Sequence, residues 1–118
     1  VQGYKETLLT TAEDGTVVSR AYTGKTCRVV RNSYTQQFEE HPEQLQPFPM
    51  QLLAAMEAGA AHLGGDESTA GVDPEREFYP CGQGVGAIDE LVPAGELVER
   101  FVHEAEETLE RLTPSRLG

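Results

Sequence analysis

The chain has 118 residues, and 20 acidic against 9 basic side chains leave a formal charge of −11 at pH 7. That length can bury one core but is less than half of the roughly 250 residues of a TIM barrel, which excludes a complete barrel. So acidic a chain repels phosphate backbones and anionic membrane faces, and no apolar run approaches the roughly 20 residues that span a bilayer.

The apolar fraction is 38%, and the 12 glycines bring it into the ordinary globular range. A folded, soluble, cytoplasmic protein is expected. Val1 in place of Met suggests a processed product or a piece of something longer. Charge is uneven: residues 1–36 hold five basic and three acidic groups, whereas residues 37–118 hold four basic and seventeen acidic ones.

Gln2 to Thr11 reads as a short helix, closed by the turn dipeptide Asp14-Gly15. Thr16 to Tyr22 is dense in β-branched residues and reads as a strand. After a turn at Thr23-Gly24-Lys25, Cys27 to Val30 reads either as the return strand of a hairpin or as the entry to a helix through Tyr34 and Phe38. Residues 39–47 form a polar, proline-punctuated connector.

Pro49 opens a second helix with an apolar stripe at Leu52, Leu53, Met56, Ala60 and Leu63, stopped by Gly64-Gly65. Asp66 to Glu77 has no periodic apolar set and reads as a long loop. From Phe78 the character turns aromatic, then glycine-rich, then aliphatic. Pro93 starts the last helix, with Leu97, Val98, Phe101, Val102, Ala105, Leu109 and Leu112 along one face and Thr113-Pro114 at its end. That stripe is expected to lie buried against a larger body.

Cys27 and Cys81 lie far apart without a C-x-x-C pair or clustered His, so zinc is not indicated and two free thiols are expected. His41, His62 and His103 have no Ser, Cys or Asp at catalytic spacing. Lys25, Arg28 and Arg31 could hold an anion, and Arg28 and Arg31 share a face only in a helix; pairing with the acidic remainder is the simpler reading. Gly82-Gln83-Gly84-Val85-Gly86 is spaced G-x-G-x-G, unlike the dinucleotide fingerprint G-x-G-x-x-G. It reads as a tight turn, either plain or in contact with a flat ligand, and the Gln83 amide can both donate and accept.

Five segments in order resemble a known family: Tyr4-Lys5-Glu6-Thr7-Leu8-Leu9, Ser19-Arg20-Ala21-Tyr22-Thr23-Gly24-Lys25, Cys27-Arg28-Val29-Val30-Arg31-Asn32, Pro47-Phe48-Pro49-Met50-Gln51, and Pro80-Cys81-Gly82-Gln83-Gly84-Val85-Gly86-Ala87-Ile88. Together they look like the C-terminal portion of nitronate monooxygenases, formerly 2-nitropropane dioxygenases. The resemblance implies an α/β fold, here a C-terminal fragment of a TIM-barrel flavoenzyme, mostly helical with a short strand or hairpin. Residues 1–77 would be a small helical substrate-domain portion, with Tyr22 and the segment from Lys25 to Arg31 in it. Residues 78–118 would return to the barrel, placing Gly82, Gln83 and Gly84 beside FMN.

Cys81 stands where the family usually has Ala. The implied reaction oxidises alkyl nitronates with O₂ to a carbonyl compound and nitrite. The catalytic histidine and the phosphate-binding glycines would belong to an N-terminal barrel portion of the same protein, leaving no catalytic residue in this chain. Flavin-dependent NAD(P)H:quinone reductases and a class of enoyl-acyl-carrier-protein reductase share the architecture. A non-enzymatic helical interaction module is the contrasting reading.

Overall fold

The computed structural model describes residues 1–117, and side chains as far as 113. Helix α1 (Gln2–Thr10) leads to strand β1 (Thr16–Ser19), which pairs antiparallel with β2 (Cys27–Val30); Val17 faces Val29 and Ser19 faces Cys27. The alternative left open at Cys27 is thus decided for the strand. On its other edge β2 takes up the chain at Tyr79–Cys81, through Val30 N–H to Tyr79 O at 3.0 Å and Cys81 N–H to Arg28 O at 3.1 Å. The hairpin turn folds back so closely that a Cβ on Gly24, which has φ +84°, would sit 2.5 Å from Phe48 N. Only glycine fits there.

Asn32 separates β2 from α2 (Ser33–Glu40). Its side-chain oxygen accepts from Tyr34 N and Thr35 N, while Thr35 Oγ1 accepts from Asn32 N, a reciprocal capping box. Its Nδ2 also donates to the Tyr22 hydroxyl at 3.0 Å and to Glu77 O at 2.9 Å. One side chain thereby starts a helix and fastens two distant segments. Tyr22 lies 3.0 Å from the carbonyls of both Arg76 and Glu77, its ring stacked on Phe78 with centroids 4.5 Å apart. Burial, with Glu77 and Tyr34 adding to it, pushes the Tyr22 hydroxyl far above its ordinary pKa although its bond to Asn32 acts the other way, and it stays a donor.

Around this aromatic stack lie Ala21, Val29, Tyr34, Ala55 and Ala60, the core of the chain. Helix α3 (Met50–Glu57) enters it through Gln51 and Ala55. The expected stripe is split: Ala60 is buried in the core and Leu52 is half-buried, whereas Leu53, Met56 and Leu63 face solvent. The core face carries Gln51 because its amide donates to Ala21 O at 2.6 Å and accepts from Gln46 N at 2.9 Å, satisfying loop backbone inside. The helix also stops earlier than Gly64-Gly65. Gly59 takes φ +68°, and Ala60 N–H to Ala55 O with Gly59 N–H to Met56 O closes a Schellman motif.

Helix α4 (Ala94–Leu117) is about 36 Å long and runs past Pro114, where it forfeits one ladder hydrogen bond rather than ending. Glu96 pairs with Arg100 at 2.7 Å as its spacing predicts. Among the described residues most of its stripe is not covered. Leu97, Val98, Phe101, Val102 and Leu109 are open, Phe101 at 64% exposure. No described helix is long and apolar enough to cross a membrane.

Asn32→Ala should lower the unfolding free energy by about 2 kcal/mol, combining a lost cap with a lost buried hydrogen bond. Urea titration followed by circular dichroism checks this.

Candidate functional site

The glycine-rich turn is held at both ends and free in the middle. Upstream, Tyr79 to Cys81 is bonded to β2, and the Tyr4 hydroxyl of α1 donates to Pro80 O. Downstream, Val85 is buried, and Gly86 passes so close to Glu13 that a Cβ there would lie 2.6 Å from Glu13 N. Between these anchors residues 83–87 wind into one 3-10 segment, Gln83–Ala87, closed by Val85 N–H to Gly82 O at 3.2 Å.

The three glycines therefore differ. Gly86 is demanded by the chain's own packing. A Cβ on Gly84 would meet nothing within 4 Å, and one on Gly82 only Gly84 N at 3.9 Å, and neither has a positive φ. Among the described residues nothing requires glycine at 82 or 84. Such positions suit a partner that must approach backbone closely, as a flat conjugated ring does. Gln83 is exposed between them, and its side-chain amide bonds no other described residue. Gly82, Gln83 and Gly84 thus come together on one open turn that fits FMN in kind.

Cys81 sits at the lip of this turn, half-buried, and neither it nor Cys27 is in a disulfide. Burial pushes its thiol up, outweighing the nearby Arg28 guanidinium, so it is a neutral thiol at pH 7. The basic set does not form an anion cradle. Arg28 donates to Thr16 Oγ1 at 2.9 Å, Arg31 pairs with Glu39 at 2.9 Å, and Lys25 stands 4.2 Å above the Phe48 ring.

The histidines are also spoken for: His41 faces Glu43 and His103 faces Glu107 on exposed surface. His62 is different, and its spacing gave no sign of it. Its Nδ1 lies 2.9 Å from Glu77 Oε2, and its backbone N–H donates to Oε1 of that wholly buried carboxylate at 2.8 Å. Phe78 N–H also donates to Oε1, at 2.9 Å. The pair fixes both ends of the 62–77 segment, with Oε1 taken by two backbone N–H groups and Oε2 by the imidazole.

A shallow cleft of about 500 Å³ runs between α1 and this segment, lined by Glu6, Thr7, Asp66, Ser68 and Tyr79 among others. Asp66 closes one end of it by accepting from Ser68 Oγ at 2.5 Å, Gly3 N at 2.8 Å and Ser68 N at 2.9 Å, which holds its carboxyl below the usual aspartate range. It serves α1 as a remote N-terminal cap.

No protein-family model matches the chain, and no curated protein does. Among solved structures it is similar to the structure of FabK from Thermotoga maritima, at 28% identity and a TM-score of 0.71, over 98% of this chain and 34% of that one. The chain spans about a third of FabK. This likeness supports the superfamily of 2-nitropropane dioxygenase-like TIM-barrel flavoenzymes and does not single out the nitronate monooxygenases.

Because folding lowers the Asp66 pKa, its contribution to stability is complete above the unfolded value near 3.8 and fades as pH falls through the lower folded one. Asp66→Asn should destabilise the protein at neutral pH, with the difference from the parent shrinking as pH falls below the unfolded value. Thermal melts at stepped pH measure it.

Proposed function

We propose that this chain is the cofactor-facing C-terminal part of an FMN-dependent oxidoreductase, and that the reaction is of the reductase type carried out by flavin-dependent enoyl-acyl-carrier-protein reductases. The observation that carries the flavin reading is the pair of open Cβ positions at Gly82 and Gly84 on a turn anchored at both ends. The likeness to FabK favours the reductase over nitronate oxidation. Nitronate oxidation, with O₂ as co-substrate, is the second reading, favoured by the five ordered sequence segments.

In this reading residues 1–77 form the small substrate-domain portion, and residues 78–118 return to an N-terminal barrel portion of the same protein. The open stripe of α4 would be the surface that meets that portion. When bound, FMN supplies two-electron chemistry, accepting and passing on a hydride equivalent. The chain's own residues bind and orient. The Gln83 amide offers a donor and an acceptor to the polar edge of the ring. Gly82 and Gly84 leave room for backbone N–H groups to come within bonding range. Cys81, kept neutral by burial, adds no charge beside the ring. None of His41, His62 and His103 lies on the turn, and in this reading proton transfer belongs to the N-terminal barrel portion, as the family resemblance implies.

The deciding experiment uses the full-length protein under anaerobic conditions. The bound flavin should be bleached by NADH or NADPH and recoloured by an enoyl thioester. Bleaching by a nitronate but not by reduced nicotinamide would transfer the assignment to nitronate oxidation, and a colourless protein that takes up no FMN would end the flavin reading. Gly84→Ala should leave the unfolding free energy from urea titration within about 0.5 kcal/mol of the parent while weakening FMN binding about tenfold, read by fluorescence titration.

A further inference from the structure

Helix α1 packs against the 3-10 segment Gln83–Ala87, and the turn depends on it. The Tyr4 ring is wedged between the Gly64 backbone, where a Cβ would lie 2.6 Å from its Cδ1, and the Tyr79 ring, whose centroid is 5.2 Å away. From that seat its hydroxyl donates to Pro80 O, two residues before Gly82. Burial raises its pKa, so at neutral pH it holds the proton it donates. On the far side Gly86 rests against Glu13, in the loop that leaves α1.

We propose that Tyr4 and Gly86 are positioning residues, a clamp by which α1 and the loop after it set where Gly82, Gln83 and Gly84 present their backbone and amide to the cofactor. The proposal rests on the flavin reading above but makes a claim about the turn that holds without it. β2 fixes only the strand-like stretch, through Val30 N–H and Arg28 O. Past Cys81 the chain leaves β2, so the direction of the turn is governed by the Pro80 carbonyl behind it and the Gly86 contact ahead. A clamp of this kind raises affinity by ordering the turn before the ligand arrives.

The test compares Tyr4→Phe with the parent in full-length protein carrying Cys27→Ser, so that Cys81 reports on the turn. Phe keeps the wedged ring and removes only the donated hydrogen bond. Two readouts are taken. The rate of Cys81 labelling by a soluble disulfide reagent should rise about fivefold as the lip of the turn loosens. The FMN dissociation constant should rise about tenfold, with a shift in the visible spectrum of the bound flavin. Thr7→Val serves as control, because its hydroxyl bonds within α1 to Gly3 O at 2.9 Å, and it should change neither readout.

An unchanged labelling rate in Tyr4→Phe overturns the clamp. Fast labelling with unaltered FMN affinity and spectrum overturns the positioning role, and equal effects from Thr7→Val reduce both to general loosening of α1 and overturn it as well. Should Tyr4→Phe not fold, Gly86→Ala, which pushes the turn away from Glu13, is read by the same two measures. If the parent itself takes up no FMN, the flavin reading has failed, and the labelling rates alone decide whether the clamp exists.

Discussion

The Glu77 backbone carbonyl is the point on which the chain is organised. It receives the Asn32 amide and lies within reach of the Tyr22 hydroxyl, so the hairpin, the start of α2 and the segment leading to the glycine-rich turn meet at one buried oxygen. The Glu77 side chain points the other way, taking His62 and Phe78. A single residue thus has its main chain spent on one layer and its side chain on another. The core around it is small and largely aromatic, and hydrogen bonds rather than apolar bulk decide which segments touch.

This explains which parts of the fold were legible in the sequence. The β1–β2 hairpin follows from β-branched density and a glycine turn, and α4 from its periodicity and its Glu96–Arg100 spacing. The apolar stripe of α3 does not mark its buried face as a whole: Ala60 goes inside, Leu53 and Met56 stay out, and Gln51 goes inside to serve Ala21 O and Gln46 N. Periodicity cannot register a polar residue buried to satisfy backbone five and thirty positions away. Nor could it see that Gly59, not Gly64, closes the helix, since both are glycines after an apolar run and only the Schellman bonds tell them apart. The stripe of α4 was read correctly as apolar but has no cover within these residues.

At the turn, the pattern G-x-G-x-G marked the segment without separating its members. The coordinates do so through the space around each one: Gly86 is pressed against Glu13, while Gly82 and Gly84 face outward. The bond from Tyr4 to Pro80 spans 76 positions, and no spacing rule links them. His62 and Glu77 were likewise invisible as a pair, because a buried carboxylate on a loop carries no local signature. Of the basic set, Arg31 pairs with an acidic side chain as expected, at Glu39, whereas Arg28 goes to the Thr16 hydroxyl and Lys25 to the Phe48 ring.

Gly82 and Gly84 have a consequence for how variation in this protein would be filtered. Each glycine enlarges the unfolded ensemble and so costs the fold entropy, and neither recovers it through packing. Any selection that sees only folded protein, whether expression level, protease resistance or melting temperature, would accept alanine at both positions and even reward it. On the proposed flavin reading, what would keep the two glycines is a pressure that acts through the ring against the turn. Stability and use would then be divided within one short segment, with Gly86 answering to the first and Gly82 and Gly84 to the second.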